Sequence, residues 1–294
     1  MILQKAQDLR EELVTKICDA LEKGTAPWQK PWIGEAPHNA ISHQPYHGIN
    51  QINLSMYPSS DPRWLTFQQA KEKGWNIKKG AKGTHVEFYK FGSSRPVLNE
   101  SGETVLDESG KPKTKSSVVV KTYVVFHASQ VDGISEYEPP ARNSIETHEN
   151  AEKLIKASRA VIRFGGNSAY YRMIQDYIQV PEKDQFVSQT DYYATILHEL
   201  AHWTGHPLRL NRDMSGTMHS KAYAREELVA EIASVFISAE TGIPQTQEHI
   251  DNHAAYVQSW LEMIRDEPKA LFKAISQAQK VADFLKNIGG EKHE

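Results

Sequence analysis

The sequence has a single cysteine, Cys18, among its 294 residues. One thiol excludes an intrachain disulfide framework and a thiolate metal cluster, so any metal site must use histidine and carboxylate ligands. No apolar run approaches the roughly 20 residues that a membrane-spanning helix needs. Residues 1–13 lack the apolar core of a signal peptide and contain the acidic residues that transit peptides avoid. These absences favour a reducing cytosol and exclude a membrane partner.

The composition is that of a globular protein, with 39% hydrophobic and 24% charged residues. The length suits two domains of roughly 150 residues each. The net charge of −3 averages two unlike halves, because residues 1–135 hold 17 basic and 14 acidic residues, whereas residues 136–294 hold 17 and 23. This asymmetry indicates a part that faces a polyanion, joined to an acidic part. A solvated basic face is the alternative.

Hydrophobic spacing and turn residues predict an α+β fold with two domains. Helices are expected over residues 3–23, 67–73, 149–163, 191–203, 224–240 and, split near Pro268, 249–288. Strands are expected over residues 84–91, 117–127 and 176–180, with residues 27–62 irregular and 92–116 a hairpin excursion. The sequence therefore predicts an α+β domain over residues 1–132, a linker over 133–148, and a mostly helical domain with a small sheet over 149–294.

The segment His198-Glu199-Leu200-Ala201-His202 is the strongest chemical signal. Positions i and i+4 share one face of a helix, so both imidazoles can bind one metal ion. Glu199 lies on the adjacent flank, where it can accept a proton from a water molecule at the metal. A surface helix with two solvated histidines is the alternative. It is disfavoured by the apolar residues around the motif, which are Tyr192, Tyr193, Ile196, Leu197, Leu200 and Ala201.

Two spacing rules bear on a third metal ligand. In metzincins the motif continues with glycine at the eighth position and histidine at the eleventh. Gly205 fits the first requirement, but Leu208 occupies the eleventh position, so this route fails. His206 and His219 stay open as alternative ligands.

In gluzincins the third ligand is a glutamate on a later helix, with a polar or acidic residue four positions beyond it. Glu227 and Glu231 have this spacing. We expect Glu227 to bind the metal and Glu231 to orient a ligating imidazole. Glu226 points about 100° away from Glu227 on the helix and is expected to be solvated.

Two imidazoles, one carboxylate and a water molecule form an open catalytic site rather than a closed structural one. Zn²⁺ is the expected ion, with Mn²⁺ or another divalent metal as alternatives. Glu199 would deliver its proton to the leaving amine, and Tyr223 or His219 would stabilise the oxyanion. The strand expected over residues 176–180 could bind an extended peptide by edge pairing. The sequence thus predicts a metallopeptidase site.

The stretch 63–95 holds eight basic and two acidic residues, interleaved with aromatic rings. Cations can follow phosphates while rings stack on bases, which is how proteins hold single strands without reading their sequence. The turn over residues 78–83 brings three lysines together. Core packing is the alternative for the rings, Trp64 among them. The residues assigned to single-stranded DNA are Tyr46, Arg63, Lys71, Lys73, Trp75, Lys78, Lys79, Lys82 and Lys90.

Several segments resemble the ArdC-type antirestriction proteins of conjugative plasmids. In the first half these are residues 21–25, 27–28, 31–32, 46–50, 64–70 and 78–83. In the second half they are residues 192–195, 198–206, 209–210 and 223–231. The N-terminal module is also similar to one found in primase-type TraC proteins of plasmids, but the sequence shows no evident primase centre.

This resemblance implies an N-terminal domain that binds single-stranded DNA and a C-terminal zincin-like metallopeptidase domain, similar to the SprT and Spartan group that cleaves DNA-bound proteins. It implies protection of incoming plasmid DNA from restriction during conjugation, in the bacterial cytoplasm, with a DNA-bound or restriction-related protein as the peptidase substrate. A DNA-binding shield with a structural or vestigial metal site is the alternative. Glu199 favours the enzyme, because a structural site needs no general base. A nuclease is disfavoured, because two-metal nucleases use clustered carboxylates.

Overall fold

The structure is a computed structural model that describes residues 2–24, 26, 35–97, 104–106, 111–138, 144–216, 220–243 and 247–289. The helices in this part of the chain are α1 (Ile2–Glu22), α2 (Ile49–Ser55), α3 (Phe67–Glu72), α4 (Ser144–Ser158), α5 (Gln189–Trp203), α6 (Lys221–Thr241), α7 (Gln247–Asp266) and α8 (Pro268–Gly289). The strands are β1 (His38–Asn39), β2 (Arg63–Thr66), β3 (Asn76–Ile77), β4 (Thr84–Pro96), β5 (Thr114–His127), β6 (Val131–Asp132), β7 (Val161–Phe164), β8 (Tyr170–Arg172) and β9 (Tyr177–Val180). None of the described helices is long and apolar enough to cross a membrane.

A four-stranded sheet of order β1-β2-β5-β4 organises the first half of the chain. Strands β4 and β5 form a long antiparallel hairpin that runs out from the sheet, paired from Thr84 opposite Val125 to Pro96 opposite Thr114. Core residues of this sheet alternate between its two faces, as expected for strands. One face buries Tyr46, Leu54, Trp64, Val86 and Val125, and the other contributes to a small core of Leu65, Ala70 and Val131.

Strand β4 lies at the edge of this sheet, and helix α2 satisfies part of its open backbone. The Asn50 carboxamide donates to the carbonyl oxygen of Glu87 at 2.7 Å and accepts from the Glu87 N–H at 2.8 Å. Asn53 donates to the carbonyl oxygen of His85 at 3.1 Å. An open edge strand is a template for pairing with other chains. The two asparagines therefore take the place of a neighbouring strand.

A large hydrophobic core holds the second half of the chain together. Helices α5 and α6 contribute Leu200 and Leu228, which are fully buried, and helices α7 and α8 pack on α6. The sheet of this half has the order β7-β9-β8, with β7 parallel and β8 antiparallel to β9. Strand β9 contributes Ile178 and Val180 to the same core. The sheet is thereby anchored against helix α5.

These elements confirm an α+β fold with two parts and several small sheets, but some boundaries are wrong. Helix α4 begins at Ser144, inside the expected linker, and ends at Ser158 because Arg159 adopts a left-handed φ of 56°. Residues 161–163, expected to be helical, belong instead to β7 (Val161–Phe164), as the β-branched Val161 and Ile162 favour. The division into domains over residues 1–132 and 149–294 stays a prediction.

The segment over residues 27–62, expected to be irregular, contains two regular elements. Strand β1 and helix α2 both lie within it. Helix α2 follows Gly48, whose φ of 56° is accessible to glycine without steric cost. In the described part of this segment, residues 35–62, the Pro, Gly, Asn and Ser residues therefore mark turns between short elements rather than one long loop.

Candidate metal centre

Helices α5 and α6 pack against each other and carry the candidate metal centre. The hydroxyl of Ser188 accepts from the Asp191 N–H at 3.1 Å and caps α5, so this helix begins at Gln189, two residues before the expected start at residue 191. Ser220 caps α6 in the same way through the N–H of Tyr223, at 3.1 Å. Both caps satisfy backbone donors that a helix start leaves open. The two helices are therefore well defined on either side of the site.

Three buried side chains meet between these helices. Within the described part of the chain, ligand atoms of His198, His202 and Glu227 all lie within 4.8 Å of one another. The two Nε2 atoms are 3.2 Å apart, and the Glu227 carboxylate lies 3.8 Å from His198 Nε2 and 3.6 Å from His202 Nε2. Ligands about 2.05 Å from a tetrahedral metal are separated by about 3.3 Å. The donor set therefore fits a divalent metal ion in both chemistry and size.

The second ring nitrogen of each histidine has its own neighbours. His202 Nδ1 lies 3.2 Å from the carboxylate of Glu226. His198 Nδ1 lies 3.4 Å from the Ser234 hydroxyl and 3.6 Å from the carboxylate of Glu231, which is one turn beyond Glu227. Partners at Nδ1 fix the ring orientation of a metal ligand and leave Nε2 to face the ion. Both imidazoles thus present Nε2 to the centre.

Glu226 was expected to be solvated, and this prediction is wrong, because its side chain is buried. The loop after α5 folds back over α6 and places the Arg212 guanidinium on the Glu226 carboxylate, with bonds of 2.6 and 3.0 Å. Arg212 also donates to the Thr204 hydroxyl and to the carbonyl oxygen of Ala201. Arg212 and Glu226 form a buried pair behind His202. No sequence pattern indicated Arg212, and the helical spacing suggested the wrong environment for Glu226.

The charges of the centre stabilise one another. Burial disfavours the charged form of His202, but the carboxylates of Glu227 and Glu226 outweigh burial and hold its pKa well above the ordinary value. Burial would raise the pKa of Glu227, yet His202 and His198 keep that pKa far below the usual range of a glutamate. The cluster therefore favours positive charge at its middle, whether a proton or a metal ion carries it.

A cleft of about 620 Å³ opens beside the three ligands. Glu199 and Tyr223 both line it. Burial, together with the nearby Glu227 carboxylate and the Tyr256 hydroxyl, raises the pKa of Tyr223 well above its ordinary value. Tyr223 is therefore protonated at neutral pH and can donate a hydrogen bond to a group in the cleft.

The prediction that the strand near residues 176–180 pairs with a peptide is wrong. That strand, β9, is the central strand of its sheet, with β7 and β8 on its two sides. The strand next to the cleft is β8, whose Tyr170 and Tyr171 line it.

Arg209 bonds to Asp176 at 2.5 and 3.0 Å and to the carbonyl oxygen of Trp203 at 2.6 Å. This contact ties the β8–β9 turn to the end of α5.

The two alternative metal ligands are His206, which the structure describes, and His219, which it does not. His206 lies beyond the end of α5, and its Nδ1 accepts a hydrogen bond from the Leu208 N–H at 3.1 Å. It is not part of the three-residue ligand group found among the described residues. His219, also considered for the oxyanion, lies outside the described residues.

The residues assigned to DNA divide into two groups. Some are committed to contacts within the protein: Arg63 is bound to Asp61 through two bonds of 2.9 Å, and Lys78 donates to the carbonyl oxygen of Ser129 at 2.9 Å. Tyr46 is buried in the sheet core, and Trp75 packs against the small core on the other face. The second group is exposed and consists of Lys71, Lys73, Lys79, Lys82 and Lys90.

Comparison with known proteins identifies both halves. Residues 7–126 match the family described as the N-terminal domain of anti-restriction factor ArdC, and residues 149–277 match the zincin-like metallopeptidase family. The metal-free crystal structure of the antirestriction protein ArdC from plasmid R388 superposes with a TM-score of 0.73 at 34% identity, covering 96% of this chain and 98% of that one. The Mn(II)-bound structure of the same protein superposes with a TM-score of 0.73 at 35% identity, covering 97% of this chain and 99% of that one.

Curated relatives extend the similarity. Two DNA primases TraC from Escherichia coli are each 40% identical, over 293 and 289 residues, but the chain spans only 20% and 27% of their lengths. The uncharacterized protein y4eC of Sinorhizobium fredii (strain NBRC 101917 / NGR234) is 32% identical over 291 residues, which cover 96% of this chain and 92% of y4eC. With both family matches in chain order and nearly all of ArdC covered at 34% identity, the chain belongs to the ArdC antirestriction family and has a zincin-like metallopeptidase domain.

Proposed function

We propose that this protein protects incoming single-stranded plasmid DNA during conjugation, in the bacterial cytoplasm, by binding the strand non-specifically and carrying a zinc-type metallopeptidase. The observation that carries the enzymatic part is the buried group His198, His202 and Glu227 at the wall of a cleft that Glu199 also lines. Membership of the ArdC family supports the antirestriction role. The Mn(II)-bound form of ArdC from plasmid R388 supports a divalent metal, with Zn²⁺ our first choice.

In this proposal each residue has a distinct task. His198, His202 and Glu227 hold the ion, which when bound supplies Lewis acidity toward a water molecule and a peptide carbonyl. Glu199 accepts a proton from the attacking water and returns it to the leaving amine. The Tyr223 hydroxyl, protonated at neutral pH, donates to the carbonyl oxygen as negative charge develops there.

Two further elements would position the site and its substrate. Glu226 and Glu231 orient the imidazoles through their Nδ1 atoms, at 3.2 and 3.6 Å. Strand β8 borders the cleft and would pair with the backbone of an extended peptide. The substrate in this proposal is a protein bound to the same DNA strand, because tethering raises its concentration at the cleft.

Metal binding tests the foundation of the proposal. The purified protein should bind about one equivalent of Zn²⁺, as a single three-ligand site requires. The double variant His198→Ala/His202→Ala should bind none, while His206→Ala, changed at a histidine outside the ligand group, should bind like the wild type. Equal metal binding by the wild type and the double variant would show that the ion sits elsewhere.

Glu199→Gln separates the enzyme from a DNA-binding shield, because the amide keeps the shape of the side chain and cannot accept a proton. We expect this variant to keep its metal and its affinity for single-stranded DNA but to lose protein cleavage. A plasmid-establishment assay in a restricting host then measures protection. Loss of protection together with cleavage supports the peptidase. Full protection by a cleavage-dead variant assigns the function to the shield.

A further inference from the structure

One face of the β4–β5 hairpin changes from buried to exposed along its length. Phe88 pairs with Lys121 and Val86 pairs with Tyr123, so these four side chains share a face. Where the hairpin joins the sheet, Val86 belongs to the buried core. Farther out, Phe88 is 46% exposed and Tyr123 is 44% exposed. The core face therefore continues outward as an aromatic surface open to solvent.

The two rings are held in a defined arrangement. The centroids of Phe88 and Tyr123 are 5.4 Å apart with an interplanar angle of 82°, an edge-to-face contact. Phe88 also rests against the buried Tyr46, at 6.4 Å between centroids. Rings that are fixed before binding lose little conformational freedom when a ligand stacks on them. The pair is thus a preorganised surface.

The charge around the rings is of one sign. Lys90 and Lys121 lie on the same face, as the strand register requires, and both are exposed. Across residues 84–90 and 119–125 the one carboxylate is Glu87, which by strand alternation points to the opposite face. There it is buried and paired with Arg10 at 3.0 Å. Over residues 84–90 and 119–125, the aromatic face therefore combines exposed rings with cations and has no carboxylate of its own.

We propose that Phe88 and Tyr123 form a stacking platform for two neighbouring unpaired bases, with Lys90 and Lys121 contacting the phosphates beside them. This inference rests on the proposed binding of single-stranded DNA and names its contact surface. Every base has a π face, so stacking holds a strand without reading its sequence. In a duplex those faces are already covered by neighbouring bases, so the platform selects single strands. It moves the centre of the DNA surface from the lysine turn at residues 78–83 to the hairpin.

Fluorescence anisotropy with a labelled oligothymidylate and the full-length protein tests the platform. Phe88→Ala and Tyr123→Ala should each weaken binding about 5- to 100-fold, the range for loss of one stacked base. Phe67→Ala is the matched control, since Phe67 is 60% exposed and belongs to α3 rather than to the hairpin. Phe88→Tyr and Tyr123→Phe keep the rings and should bind like the wild type. Lys90→Gln and Lys121→Gln should each reduce the slope of log K against log salt concentration by about 0.7, the value for one lost phosphate contact on a single strand.

The outcomes separate this inference from the function on which it rests. A wild-type protein that binds no single-stranded DNA overturns the proposed function. A wild type that binds, with Phe88→Ala and Tyr123→Ala no weaker than Phe67→Ala, overturns the platform alone. Unchanged DNA affinity with an altered oligomeric state assigns the face to a protein contact and also overturns it. Photocrosslinking to DNA that contains 5-iodouracil uses only the wild-type protein, so it does not require any variant to fold. Adducts at Phe88 or Tyr123 support the platform, whereas adducts confined to residues 78–83 overturn it.

Discussion

Replacing Arg212 by methionine should destabilise the protein far more than the loss of an exposed ion pair. The Arg212 guanidinium contacts both carboxylate oxygens of Glu226, at 2.6 and 3.0 Å, and also donates to Thr204 and Ala201. Only 4% of the Arg212 side chain and 8% of the Glu226 side chain are exposed. The variant would leave the Glu226 carboxylate in a low-dielectric site, where His202 lies 3.2 Å away but the guanidinium is lost.

The expected cost follows from this burial. Removing one partner of a buried ion pair costs about 3–5 kcal/mol of unfolding free energy, chiefly because a charge is left uncompensated. The double variant Arg212→Met/Glu226→Gln should recover part of this loss, since it leaves no unpaired charge. Because Glu226 contacts Nδ1 of His202, the Glu226→Gln change in this double variant should also weaken metal binding about 10- to 100-fold.

The destabilisation should depend on pH in a definite direction. Burial favours the protonated form of Glu226, but the hydrogen bonds from Arg212 and His202 outweigh it and hold the pKa of this carboxyl below its ordinary value. A pKa that is depressed in the folded state adds stability above the unfolded value of about 4.3, and this contribution is lost as the pH falls through the folded pKa. The difference between Arg212→Met and the wild type should therefore be largest near neutral pH and shrink in acid.

Urea unfolding with a chelator present, followed by tryptophan fluorescence, measures the effect. Lys286→Met is the matched control, because Lys286 pairs with Glu240 at 2.8 Å with exposed fractions of 58% and 42%. Its loss should cost no more than about 1 kcal/mol. If Arg212→Met shifted the unfolding midpoint no more than Lys286→Met, or if its effect grew in acid, the reasoning on the buried pair would be refuted.

Three other substitutions have definite expected outcomes. Asn50→Ala leaves both backbone groups of the buried Glu87 without the bonds of 2.7 and 2.8 Å, so thermal unfolding should show a loss of about 2–4 kcal/mol. A Cβ at position 216 would lie 2.2 Å from the backbone nitrogen of Tyr223, so Gly216→Ala should reduce protein cleavage while DNA affinity in anisotropy stays unchanged. Gly242→Ala places a side chain at a φ of 79° at the end of α6 and should cost about 1 kcal/mol in urea unfolding.

The three candidate ligands could be named from the sequence, the two histidines because they lie one helical turn apart and Glu227 because its spacing from Glu231 fits the gluzincin pattern. His198 and His202 meet through the helical repeat alone, and Glu227 lies on a second helix whose pattern is equally regular. Burial of Glu226 depends instead on Arg212, which reaches it only because the loop after α5 folds back. A helical repeat carries no information about such a loop. The adjacent Glu226 therefore looked like a solvated residue.

The distribution of charged residues along the chain predicted the DNA-contacting residues less well than the side-chain contacts in the structure do. Arg63 lies in the basic stretch and was assigned to phosphate, yet it is bound to Asp61, two residues away, and to the carbonyl oxygen of Ser135 at 2.8 Å. Phe88 and Tyr123 cannot be recognised as a pair in the sequence, because 35 positions separate them and only the strand register brings them together. A contact surface built across two strands cannot be recognised from either strand alone.

Helix α1 shows how far packing departs from chain order. Its apolar stripe predicts a buried face but not the partner. In the structure Leu13 and Ile17 join the core of the second half, which also holds Trp260 and Ile264 of α7, and Arg265 of α7 pairs with Glu22 of α1. The match to the N-terminal ArdC family ends at residue 126, and the match to the metallopeptidase family begins at residue 149. The hydrophobic core does not divide there, because α1 belongs to the same core as α5 to α8. Helix α1 completes the core around α5 and α6, so the fold that holds the candidate metal ligands includes residues from both ends of the sequence.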